Sequence, residues 1–151
     1  MKSPQVTLLV VDANLAVRTI FPIGEGAELR LMERWRQENR ILFAPDLWLA
    51  ETTSVIRRMA SSRLITDQEG RQAVQDIFAL GVQVIAADAS LCAAAYQWAE
   101  RLGQAKAYDG FYLALVERLT QEKDYPVEFW TADRRLFNQA KQAGVSWVRQ
   151  P

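Results

Sequence analysis

The run Val6-Thr7-Leu8-Leu9-Val10-Val11 carries a β-branched residue or leucine at every position, with no apolar–polar alternation. A strand with one wet face alternates, whereas an unbroken run of this length is a strand covered on both faces. Three further short runs, Ile41-Leu42-Phe43-Ala44, Val82-Gln83-Val84-Ile85 and Phe129-Trp130-Thr131, fit strands two to four, and Val145-Ser146-Trp147-Val148 fits a fifth. Helical stretches lie between them. They are expected near 13–20, 25–39, 46–61, 66–79, 89–102, 109–120 and 133–142. Pro22, Gly24 and Gly26 break the first pair, and Thr66-Asp67-Gln68-Glu69 is a capping box. Leu91, Ala95, Trp98 and Leu102 form one apolar stripe, which Gly103 ends. Strands alternating with helices predict an α/β domain whose parallel sheet has helices on both faces. With 151 residues and no linker or repeat, a single domain over 1–151 is expected.

Four acids stand where that pattern should not tolerate them. Asp12 ends the first strand and Asp133 follows the fourth. Glu51 lies about one and a half turns into the helix after strand two, and Asp109 opens the helix that must descend to feed strand four. Topology therefore places all four at the carboxyl edge of the sheet, where ligand sites of such folds lie. Carboxylates gathered in one place cannot all stay ionised without a positive partner. For an all-oxygen site that partner is a hard cation such as Mg²⁺ or Mn²⁺, which makes metal-assisted phosphodiester hydrolysis the leading chemistry. Asn14 and Thr131 add neutral polar groups at the same edge.

Each acid also has a plainer reading. Asp12, Asp109 and Asp133 are in slots suited to helix N-caps, as are Asp46 and Asp88. Glu51 shares a helical stripe with Leu47, Val55 and Met59, and Arg58 is close enough in sequence to pair with it. The convergence of four such residues on one edge is what favours a site.

Absences narrow the chemistry further. The chain has no histidine, which excludes histidine-based triads and histidine-containing zinc sites. Its one cysteine, Cys92, forbids an internal disulfide, and its apolar surroundings predict a small core residue. Lys+Arg and Asp+Glu balance at 18 each, so net charge gives no sign of a general polyanion binder. Lys2 before Val6–Val11 only faintly suggests a signal peptide, and no stretch is long and apolar enough to span a membrane. A cytoplasmic protein is expected.

Four segments, in order, resemble the PIN-domain ribonucleases, especially the VapC-type toxins of VapBC toxin–antitoxin pairs. They are Val10-Val11-Asp12-Ala13-Asn14; Pro45 with Leu49-Ala50-Glu51 and Val55-Ile56-Arg57-Arg58; Ala107-Tyr108-Asp109-Gly110-Phe111-Tyr112-Leu113-Ala114-Leu115; and Trp130-Thr131-Ala132-Asp133-Arg134-Arg135-Leu136. The resemblance implies a three-layer PIN-like domain with a five-stranded parallel sheet of order 3-2-1-4-5. It implies that Asp12, Glu51, Asp109 and Asp133 hold Mg²⁺ or Mn²⁺ for RNA hydrolysis, supported by Asn14 and Thr131. It further implies a homodimer or higher oligomer and a protein antitoxin, with 46–79 as the contact region. Arg57, Lys106 and Arg134 are candidate phosphate contacts, alongside Arg58 and Arg135. Gly110 departs from the alanine common after the third acid in these toxins.

Two other classes compete. One is a catalytically silent PIN-like module that binds RNA or protein. The other is a Mg²⁺-dependent phosphatase or receiver-like domain. The phosphatase pattern wants Asp-x-Asp after strand one, where this chain has Asp12-Ala13-Asn14. A receiver wants an acidic pair there, and Val11-Asp12 supplies one acid.

Overall fold

The structure, a computed structural model, describes residues 5–22 and 24–151. Lys2 therefore lies outside the described residues. Strand β1 (Thr7–Val11) is buried at all five positions. It pairs in parallel with β2 (Arg40–Pro45) on one side and β4 (Val127–Trp130) on the other, with Val10 opposite Phe43 and Val11 opposite Trp130. β3 (Gln83–Ile85) pairs with β2, and β5 (Val148–Arg149) with β4, giving the sheet order β3-β2-β1-β4-β5. This is the expected order, and it differs from the 2-1-3-4-5 of receiver domains.

The missing alternation in β1 has a direct cause. Leu9 and Val11 face α2 (Ala27–Gln37), where Leu31, Met32 and Trp35 close a small core with Leu15 of α1 (Ala13–Ile20) and Leu42 of β2. Leu8 and Val10 face the other way into the larger core. That core is built with α3 (Leu47–Ser61), α4 (Asp67–Phe78), α5 (Ala89–Leu102), α6 (Tyr108–Glu122) and α7 (Arg134–Gln142). Successive β1 residues thus enter two separate cores.

Several local expectations are revised. The fourth strand starts two residues earlier than expected and the fifth begins only at Val148, although Val145 is buried. Asp88 caps α5, accepting from Leu91 N–H at 2.8 Å. Asp46 precedes α3 but makes no cap bond; its carboxylate accepts instead from Ala87 N–H at 3.1 Å and ties the two loops together. The Thr66–Glu69 capping box forms as expected. Cys92 is exposed, not in the core. The inward stripe is Leu91, Ala95, Trp98 and Ala99, and one residue past Leu91 the helix has already turned by about 100°.

Gly110 acquires a structural reason. A Cβ there would lie 2.3 Å from the Ala95 carbonyl oxygen. The first turn of α6 can lie this close to α5 only because residue 110 has no side chain. α5 itself ends at Gly103, held at φ +67° where a side chain would be strained, and the chain turns there toward α6. These two glycines set the approach of α6, and hence of Asp109, to the sheet edge.

Candidate active site

Asp12 is the most enclosed acid, 7% exposed. It caps α1, with Leu15 N–H donating to Oδ1 at 2.8 Å. Its other oxygen accepts from the Thr131 hydroxyl and from Ala132 N–H, the latter at 3.1 Å. Thr131 in turn accepts from Asp133 N–H at 3.0 Å, so one hydroxyl links the ends of β1 and β4. Burial pushes the Asp12 carboxyl up to about 6. The bonds from Thr131, Leu15 and Ala132 offset part of that rise, and the charge of Asp133 adds to it.

Glu51 sits in the second turn of α3, where Tyr112 donates its hydroxyl hydrogen to Oε1 at 2.8 Å. Arg58, its expected partner, is exposed and makes no ion pair with it. Burial raises the Glu51 carboxyl; the Tyr112 bond opposes this, and the charges of Asp109 and Asp12 reinforce it. Asp109 is inside the first turn of α6 and caps nothing, since Ala107 holds the cap position. The helix N-terminus favours a negative charge there. Gln104 Nε2 donates to its Oδ2 at 3.0 Å. Burial also raises Asp109, with Gln104 and Arg135 opposing and Asp133 reinforcing. Asp133 is exposed and caps α7, its Oδ1 accepting from Arg135 N–H at 2.9 Å and Leu136 N–H at 3.2 Å.

Glu51, Asp109 and Asp133 line one cleft of about 530 Å³, together with Gln104, Lys106, Tyr108, Arg135 and Gln139. Asp12 does not line this cleft, but it is close enough that its charge acts on Glu51. Among the described residues, no cation lies within ion-pairing distance of any of the four acids. The donor set is therefore all-oxygen and without an ion-pair partner, with Arg135 acting on Asp109 only at longer range, which is the chemistry a hard divalent ion satisfies. As placed, no three of the described acids form a group able to hold an ion.

The remaining candidates are dispersed. Asn14 is exposed on α1. Arg57 pairs with Asp67 at 3.3 Å and borders a separate, open hollow of about 720 Å³ along α3 that contains no carboxylate. Arg134 is exposed and does not line the cleft, whereas Lys106 and Arg135 do. Sequence reasoning missed Tyr112, Gln104 and Gln139. Tyr112 was within reach, because it stands three residues after Asp109 on the same helix face. The glutamines carry no such signal.

No family model matches the sequence, and a search of curated proteins finds no match. Solved structures do match. The fold is the PIN-like α/β fold, and the solved chains that share it include VapBC toxin–antitoxin complexes. A toxin–antitoxin complex from Klebsiella pneumoniae matches with TM-score 0.58 and 15% identity, covering 93% of this chain and 95% of that one. VapBC2 from Rickettsia felis, solved with a DNA fragment from its promoter, matches with TM-score 0.60 and 14% identity over 95% of this chain and 98% of that one. PAE2754 from Pyrobaculum aerophilum matches with TM-score 0.63 and 15% identity over 95% and 89%. At such identities the likeness is one of fold.

Proposed function

We propose that the protein is a Mg²⁺- or Mn²⁺-dependent endoribonuclease and the toxin of a toxin–antitoxin pair, acting in the cytoplasm. The observation that carries this reading is the set of four carboxylates without a cation partner at one sheet edge. The fold shared with toxin–antitoxin complexes supports it.

Asp12, Glu51, Asp109 and Asp133 would hold the ion. When bound, it supplies Lewis acidity toward a phosphate oxygen and makes water a stronger acid. The chain's own groups do the positioning. Thr131 holds Asp12, Tyr112 holds Glu51 and Gln104 holds Asp109, each with a neutral donor that leaves the carboxylate its charge. Lys106 and Arg135 line the cleft beside the acids and offset the repulsion an RNA phosphate would meet there. The region 46–79, which holds α3 and α4, is the surface proposed for antitoxin contact, on the fold shared with toxin–antitoxin complexes.

A second reading is a PIN-like module that binds without cutting. The spacing of the acids, which do not form an ion-holding group as placed, favours it. Calorimetric titration with Mn²⁺ and cleavage of total RNA separate the two. The nuclease reading expects saturable metal binding and EDTA-sensitive cleavage. RNA binding with neither metal uptake nor cleavage would establish the module instead.

A further inference from the structure

We propose that the cleft beside the acids is a nucleobase-reading subsite for single-stranded RNA, in which Gln104 and Gln139 read a base edge and Tyr108 stacks on its face. The proposal rests on the nuclease reading above and specifies how its substrate is chosen.

The orientation of the two amides follows from hydrogen-bond accounting. Gln104 Nε2 lies 3.0 Å from Asp109 Oδ2 and 2.8 Å from Gln139 Oε1. An ionised carboxylate only accepts, so the Gln104 group facing Asp109 is the NH₂, and both its hydrogens are then used. The Gln139 group facing Gln104 must be its carbonyl oxygen. Among the described residues this leaves Gln104 Oε1 without a donor and the Gln139 NH₂ without an acceptor. Both side chains line the cleft that holds Glu51, Asp109 and Asp133. The wall therefore offers an acceptor and a donor from two amides locked to each other and to a catalytic acid. A base edge carries complementary groups in a pattern that differs among the four bases.

The third element is Tyr108, 59% exposed and lining the same cleft, next in sequence to Asp109. Its ring is largely outside the core, so packing does not account for it. Single-stranded RNA is recognised by stacking splayed bases on such rings and bonding their edges. An amide edge, an aromatic face and two cations around one cleft of about 530 Å³ fit a nucleotide better than a bare phosphate.

The test is fluorescence anisotropy of the full chain with four short single-stranded RNAs, each of a single base. Wild type is expected to separate its best from its worst base by at least about fivefold in Kd, the lower end for a paired amide contact. Gln139→Leu should bring that ratio below about twofold. Gln139→Glu keeps an acceptor for Gln104 and removes the donor, so it should also change the ranking, and it stands in if the leucine variant does not fold. Tyr108→Ala should weaken all four RNAs together, by about fivefold or more, because every base has a face to stack. A wild type that binds all four alike, or a Gln139 variant with an unchanged ranking, overturns the proposal. Cleavage of the same RNAs with Mg²⁺ separates the two claims. Cutting without base preference leaves the nuclease reading and removes the subsite. Ranked binding without cutting leaves the subsite and removes the nuclease. Neither binding nor cutting overturns both.

Discussion

The Tyr112 hydroxyl reaches Glu51 across 61 positions of sequence and joins α6 to α3 at 2.8 Å. Its ring stacks on Phe129 of β4, with centroids 5.6 Å apart. The phenol is buried, and burial together with the Glu51 charge pushes its own ionisation well above the usual value of 10.0. Tyr112 is therefore a donor at any working pH, fixed by the core and aimed at a carboxylate of the cleft.

Removing only that hydroxyl tests its positioning role. Tyr112→Phe keeps the ring and the stack. It is expected to weaken Mn²⁺ binding by about tenfold, within the range found for residues that orient metal-binding side chains. Calorimetric titration reads this directly. An unchanged Mn²⁺ affinity would show that Glu51 needs no such support.

The acids differ in how cleanly they can be neutralised. Asp12 accepts three bonds and caps α1, so an amide in its place faces Ala132 N–H or Leu15 N–H with the wrong group. Asp109 caps nothing and accepts one side-chain bond. Asp109→Asn is expected to lower cleavage by about a hundredfold or more while the thermal midpoint stays within a few degrees. Asp12→Asn should lower cleavage too, and its misplaced amide should shift the midpoint further than Asp109→Asn does. Equal destabilisation of the two variants in a melting experiment would refute the distinction.

Without metal, stability should fall as pH rises. Asp12 has an ordinary value of 3.8 and a folded value of about 6, so the folded state holds the proton more tightly. The cost of ionising it is absent below 3.8, grows between 3.8 and about 6, and is constant above. At 1.36 kcal/mol per pH unit the whole window amounts to about 3 kcal/mol, with roughly half of it between pH 5 and 7.5. Glu51 and Asp109 are shifted the same way and add to the trend. Urea unfolding in EDTA at pH 5 and pH 7.5 checks it, and a higher midpoint at pH 7.5 would contradict it. Added Mn²⁺ should shrink or reverse the difference, because the ion takes the deprotonated carboxylates.

Gly110→Ala offers a test of the α5–α6 contact. Helix propensity alone would favour alanine by about 1 kcal/mol. The 2.3 Å approach to the Ala95 carbonyl oxygen should outweigh this and destabilise by about 1–3 kcal/mol. A urea midpoint equal to or above wild type would mean that the helices separate at little cost.

What could be read from the sequence follows the range of each interaction. β1 was legible because its two-sided burial is written into five consecutive residues. That Glu51, Asp109 and Asp133 share one cleft is legible because strand order and helix direction bring their positions to one edge. Cys92 was misjudged because apolar neighbours in sequence are not neighbours in space, and helical phase decides which side it faces. The partner of Glu51, the bond from Ala87 to Asp46 and the contact behind Gly110 each join distant segments, so no local pattern announces them.

The most direct test is a time course of RNA cleavage by purified wild type and Asp109→Asn, each with Mg²⁺, with Mn²⁺ and with EDTA. The account predicts cleavage by wild type with either metal, none with EDTA, and cleavage slower by about a hundredfold or more in the folded variant. Cleavage that persists in EDTA, or that runs near the wild-type rate in Asp109→Asn, would contradict a metal site built from these acids.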